Sequence, residues 1–146
     1  MRTKTWYPFA GALVLSLCCG LPARAAPTST PDTVAPYPVD VALDQEGPNE
    51  LIYRRFPGGQ RLYYYDLDHN GVSACNIGCD GPRPPVYAAC SATPMGVWTI
   101  FKRYNGLCQW VYNGHPLYTF YHDAPNDPKG DGEGGVWHLL PPIKQP

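Results

Sequence analysis

Apolar and polar residues alternate over short runs along most of this chain, with no sustained period of 3.6. The runs 51–56, 61–66, 97–104, 108–112, 116–122 and 136–140 are rich in Tyr, Val, Ile, Phe and Trp, and strong turn residues separate them. This pattern predicts antiparallel strands. Pro57-Gly58-Gly59 predicts a hairpin between the first two runs. Asn105-Gly106 and Asn113-Gly114 predict a three-stranded meander over 97–122. A final short strand is expected over 136–140, closed by Pro141-Pro142. The expected fold is therefore all-β, a small antiparallel sheet domain.

Two segments fall outside this pattern. Arg2 and Lys4 precede an apolar stretch over 9–21, and Ala23-Arg24-Ala25 offers a small-x-small cleavage site, so residues 1–25 read as a signal peptide. Thirteen residues of helix would span about 20 Å, short of a bilayer's core, so no transmembrane helix is expected in the mature form. Cys18 or Cys19 would be the place for a lipid anchor, but Leu17 and Cys18 stand where a small residue is wanted. Residues 26–48 are rich in proline and show no period, which predicts a disordered or extended leader before a domain over 49–146.

Composition narrows the function. The chain has 146 residues and a formal net charge of −1, and 15 Gly with 18 Pro disfavour long helices. Loss of residues 1–25 removes three basic residues and no acids, leaving 8 basic against 12 acidic residues. No excess positive charge remains for phosphates, so nucleic-acid partners are excluded. Four cysteines then remain, Cys75, Cys79, Cys90 and Cys108, an even number in a small exported domain, and disulfides are expected. Of the three pairings, Cys75 with Cys79 and Cys90 with Cys108 is favoured because the second pair brackets a hairpin.

At an offset of 55 residues the chain matches itself. Gly59, Leu62, Tyr63, Tyr65 and Asp68 align with Gly114, Leu117, Tyr118, Phe120 and Asp123; Arg83-Pro84-Pro85 closes the first unit, Trp137 and Pro141-Pro142 the second. Two degenerate hairpin repeats, about 50–86 and 97–142, are expected to bury one face against each other. The motif Tyr63-x-Tyr65-x-x-Asp68, with Tyr118-x-Phe120-x-x-Asp123, resembles the bacterial secreted-repeat family of unknown function, also described as lipoproteins with a Y-x-[FWY]-x-x-D motif. The blocks 68–79, 109–118 and 135–138 are similar to it as well, so the resemblance covers about residues 50–142. It implies export, to the periplasm or beyond the cell, and a repeated β unit, without an established activity. Arg83 stands where the family usually has Trp, and Cys90 and Cys108 look like additions.

Candidate chemistry is sparse. Asp66-x-Asp68-x-Asn70-Gly71-x-Ser73 imitates half of a calcium loop, but Ile77 occupies the place of the bidentate Glu, and an Asx-turn in which Asp68 and Asn70 accept backbone N–H groups is the favoured reading. Cys75 and Cys79, with His69 or His138, form an alternative copper, zinc or redox site, which requires free thiolates. His122 beside Asp123 is a proton-transfer candidate, and no nucleophile accompanies it. Tyr63, Tyr65, Tyr118 and Phe120 each share a strand face in pairs and are expected in the core. Tyr64 and Tyr121 point the other way, and with Trp110 or Tyr112 they form a candidate aromatic surface for a glycan, a small ligand or an envelope protein. The expected role is non-catalytic binding, with no cofactor.

Overall fold

A computed structural model describes residues 35–146. The signal-peptide and lipid-anchor readings, and the leader up to residue 34, lie outside the described residues. The described chain is all-β: nine strands, no α-helix, and one 3-10 turn at Glu133–Gly135. The strands are β1 (Val41–Gly47), β2 (Glu50–Arg55), β3 (Tyr63–Tyr65), β4 (Tyr87–Ala88), β5 (Trp98–Lys102), β6 (Cys108–Tyr112), β7 (His115–Pro116), β8 (Trp137–Leu139) and β9 (Ile143–Lys144). They form an antiparallel β1-β2-β9 sheet, a β3-β8 pair, and a β4-β6-β5 sheet with β7 on β6.

The meander forms where the Asn-Gly turns predict it, since β5, β6 and β7 pair in sequence. Asn113 (φ 48°) and Gly114 (φ 82°) both sit in the left-handed region, which an Asn-Gly pair tolerates and most residues do not. β6 is its central strand, and Cys108, Gln109, Trp110 and Val111 are all buried. That placement explains why its sequence runs apolar on both faces instead of alternating. The Gln109 amide in that interior is satisfied: Nε2 donates to Leu117 O at 2.8 Å, and Oε1 accepts from Arg103 Nη1 at 2.6 Å.

Three expectations need correction. The domain starts well before residue 49. β1 lies inside the supposed leader and pairs along β2, Pro38 is fully buried, and Asp40 accepts the indole N–H of Trp110 at 2.9 Å. The prolines of 26–48 hid a strand whose ladder partner is the next segment. The turn at 57–59 does close, with Arg55 N–H donating to Gln60 O at 2.9 Å, but the hairpin ladder ends at the Arg54–Arg61 bridge. Alternation marks a strand without naming its neighbour: β2 pairs with β1 and β9, and β3 with β8. Finally, Pro141-Pro142 ends β8 but not the fold, because β9 follows it and pairs with β2.

Two apolar clusters fill the interior. One gathers Val41, Tyr53, Leu62, Val86, Trp98, Trp110, Leu117 and Leu140; the other Tyr63, Cys75, Tyr118, Phe120 and Trp137. Both disulfides have the favoured pairing, Cys75–Cys79 and Cys90–Cys108, each with Cα atoms 5.2 Å apart. The second ties the end of the β4 segment to β6 across 18 residues. In the chain-entropy account such a closure contributes about 3 kcal/mol, against about 2 for the short first loop. Replacing Cys90 and Cys108 together by Ser should therefore lower stability by about 3 kcal/mol in urea unfolding, more than the same change at Cys75 and Cys79.

Candidate functional site

The repeat residues meet at the centre. The Tyr63 N–H donates to Tyr118 O at 2.8 Å, and the Tyr118 N–H donates back to Tyr63 O at 2.9 Å. Their side chains cross over. The Tyr63 hydroxyl donates to Asp123 Oδ2 at 2.7 Å, and the Tyr118 hydroxyl to Asp68 Oδ2 at 2.9 Å. Each carboxylate then holds its own loop six residues on, Asp68 Oδ1 accepting from Ala74 N–H (2.7 Å) and Asp123 Oδ1 from Lys129 N–H (2.8 Å). The flanking ladders follow suit: Leu140 N–H donates to Leu62 O and Val86 N–H to Leu117 O, while Asp66 N–H donates to Val136 O and Tyr121 N–H to Pro82 O.

A buried arginine completes each side. The guanidinium of Arg83 lies 4.0 Å from the Phe120 ring centre, 4.5 Å from Trp137 and 4.9 Å from Tyr63, and donates to Gly130 O at 2.9 Å and to Glu133. Among the described residues its Nε and Nη1 meet no acceptor, so the ring faces take that role. Trp137 stacks on Tyr65 at 4.3 Å as Arg83 does on Phe120, so the arginine occupies the seat an indole fills across the core. Gly130 makes room for it: a Cβ there would lie 2.5 Å from Arg83 Nη1. On the other side Arg103 donates to Cys75 O (2.6 Å) and Ser73 Oγ (3.0 Å). Neither arginine was singled out as a core residue from sequence, and the one signal was Arg83 before the Pro pair.

This centre is structural, and it uses up most candidate polar residues. Asp123 points inward to Tyr63, so it does not orient His122, whose ring packs on Tyr121 at 3.6 Å. Asp68 is buried and engaged, Asn70 (φ 52°) and Gly71 (φ 77°) form the turn closed by His69 and Val72, and Asp66 pairs with His138 Nε2 at 2.9 Å. The loop is thus shaped by the left-handed Asn70-Gly71 backbone and by Asp68 Oδ1 accepting the Ala74 N–H six residues on, not by the two-residue spacing of an Asx-turn. Both sulfurs of Cys75 and Cys79 are spent on the disulfide, which removes the thiolate ligands that the alternative metal or redox site needs. Among the described residues no three His, Cys, Asp or Glu groups come together as a metal site.

The outward aromatics divide. Trp110 is 1% exposed, belongs to the core and cannot form a surface, because β6 is covered on both faces. Tyr121 is exposed but stands apart, against Phe120 and His122. Tyr64 and Tyr112 come together. With Asn113, His115, Leu140 and Pro141 they line a cleft of about 210 Å³. Tyr64 leaves the opposite face of β3 from Tyr63, faces His138 across the β3–β8 ladder, and has its ring 5.3 Å from His138 and 5.0 Å from His115. The Asn-Gly turn projects Asn113 and His115 at the rim; these two the sequence reading left out of the surface. Leu140 and Pro141 give an apolar wall, so the cleft combines aromatic edges, an apolar side and amide and imidazole donors.

Burial raises the pKa of Tyr63 and Tyr118 above the ordinary phenol value, assisted by the carboxylates beside them, and burial likewise raises Asp68. Unfolded tyrosines ionise near pH ~10, while these two hold their protons longer, so stability is complete below that pH and falls as pH rises beyond it. Unfolding between pH 8 and 12 should show this loss, and Tyr63→Phe with Tyr118→Phe should flatten it. Asp68 has the same sign at lower pH: its contribution is full below about pH 4 and declines as the carboxyl ionises, so acid does not unfold the protein through Asp68. Asp68→Asn should cost under about 1 kcal/mol, because the Tyr118 hydroxyl can turn to Ser73 Oγ, 2.6 Å away. Asp123→Asn should cost about 2 kcal/mol, because the Tyr63 hydroxyl already accepts the Gly130 N–H and has no second acceptor. Thermal or urea unfolding of the two variants checks the order.

No curated protein and no solved structure matches the chain. Residues 99–140, which include Tyr118, Phe120 and Asp123, match the family model described as a secreted repeat of unknown function, in accord with an exported protein.

Proposed function

We propose that the protein is a non-catalytic binding module of the cell envelope, built from two copies of that repeat, whose ligand enters the cleft between Tyr64 and Tyr112. One observation carries the reading. Tyr64 and the partly buried Tyr112, whose ring also packs on Tyr53 and Trp98, converge on one concave site beside Asn113 and His115. The export of the family supports a role outside the cytoplasm.

The size and lining of the cleft set the ligand. At about 210 Å³ it is smaller than the ~300 Å³ at which drug-sized pockets begin, so it takes one ring. Aromatic edges and an apolar wall receive the ring's faces, while the rim donors select hydroxyl or carbonyl groups: the terminal sugar of a glycan or a single aromatic ring fits. Ser73 lies outside this cleft, with its Oγ buried against Tyr118 and Cys75 O.

Phenyl β-glucoside offers both ring types as a probe. Its titration should shift the amide signals of Asn113 and His115 in a saturable way, and Tyr64→Ala should weaken it by about tenfold, the effect of truncating one aromatic anchor. The Tyr64→Ala protein should keep its fold, because Tyr64 is only half-buried. Unfolding of that variant, or binding unchanged by it, would remove the proposal.

A further inference from the structure

A second cleft lies between the β1–β2 hairpin and the loop after Asp123. We infer that it receives the carboxylate of a small polar ligand on Arg61, in exchange for Glu46. The cleft encloses about 270 Å³ and is lined by Gln45, Glu46, Arg54, Arg61, Pro125, Asn126 and Pro128. It shares no lining residue with the Tyr64 cleft and does not rest on the function proposed there.

The two arginines in its wall are used differently. Arg54 is fully engaged: Nε donates to Asp44 Oδ2 (2.9 Å), Nη1 to Gly59 O (3.1 Å) and to Pro125 O, and Nη2 to Asn126 Oδ1 (3.2 Å). It joins β2 to the far loop and forms the cleft's frame. Arg61 has a side chain only 8% exposed, yet among the described residues its guanidinium makes one hydrogen bond, Nη1 to Glu46 Oε1. Its Nε and Nη2 make no hydrogen bond among the described residues and are not fully sealed from solvent, and Arg61 lines the cleft. A nearly buried guanidinium with a free donor edge has the fork geometry that a carboxylate matches with two bonds.

Its present partner is held in an exchangeable way. The β1–β2 register shifts between Gln45 and Gly47 and leaves Glu46 without a partner residue on β2. A bulge of this kind re-aims one side chain out of the sheet's alternation, and here it turns Glu46 over the cleft. The Glu46 side chain is 37% exposed against 8% for Arg61, so its carboxylate can move to water at little cost while the arginine stays in place. A ligand carboxylate therefore exchanges one ion pair for another and leaves no buried charge alone. The side-chain amides of Gln45 and Asn126 border the space and offer polar contacts to the rest of the ligand. A ligand that also carries an ammonium group would recover Glu46 as its own partner.

The test is NMR titration of the full mature protein with acetate, glycine and galacturonate, observing the Arg61 Nε–H and the Gln45 and Asn126 side-chain amides, with methyl glucoside as the neutral comparison. Each carboxylate should give saturable shifts that methyl glucoside does not. Glu46→Gln removes the competing charge and should tighten acetate binding about tenfold, whereas Arg61→Gln should abolish it. If Arg61→Gln does not fold, the Glu46→Gln result decides by itself. Glycine tighter than acetate only while Glu46 is present supports a zwitterion as the source of the carboxylate; galacturonate tightest in both proteins supports a sugar acid. No saturable shift in Glu46→Gln, shifts that persist in Arg61→Gln, or equal shifts with methyl glucoside would each overturn the inference.

Discussion

Two buried phenols that each donate to the carboxylate of the opposite half govern this structure. A tyrosine hydroxyl out of contact with water must find an acceptor, and an aspartate out of contact with water must find donors for both oxygens. The crossed pairs Tyr63–Asp123 and Tyr118–Asp68 meet the first demand and half of the second, and the Ala74 and Lys129 N–H groups supply the remaining donors. Because each carboxylate also holds the backbone six residues further on, the loops 68–74 and 123–129 take their shape from the centre. The strands β3 and β8, and the segments that flank Tyr118, are arranged around that exchange.

The arginines differ on the two sides and give the molecule its asymmetry. Arg83 is enclosed by three rings and two acceptors, and Arg103 by the Cys75 carbonyl, the Ser73 hydroxyl, the Gln109 amide and the Asp80 carboxylate. Burying a guanidinium costs several kcal/mol unless it is paired or faced by aromatic rings, and each solution uses what its own half supplies. The polar atoms of this core that lack a hydrogen bond, among them Arg83 Nε and Nη1, Arg103 Nε and Trp98 Nε1, are sealed from solvent, so none is accessible for chemistry. Candidate function is consequently displaced outward, to Tyr64 on the far face of β3 and to Glu46 at a bulge on the edge strand β1.

Much of this was legible before any coordinates. The Asn-Gly dipeptides located the meander because positive φ is a local demand with few solutions, and the even cysteine count with its bracketed hairpin led to the pairing seen. The motif tyrosines were legible as core from a period of two. What the period could not convey was partnership: it marks 51–56 and 61–66 as strands but leaves open that β2 chooses β1, a segment whose prolines suggested disorder. Trp110 failed for a related reason, since alternation assigns a face and a central strand has no outer one. Asp123 was read beside His122 by adjacency in sequence, whereas its bond runs to a residue 60 positions earlier.

The crossed exchange has a consequence for how such a motif can exist at all. In one copy alone, the tyrosine lacks the carboxylate it donates to and the aspartate lacks its phenol, and the two cannot serve each other because they point across the interface. The segments around Tyr63 and Tyr118 thus each bury a group that only the other satisfies, so neither can close its centre alone.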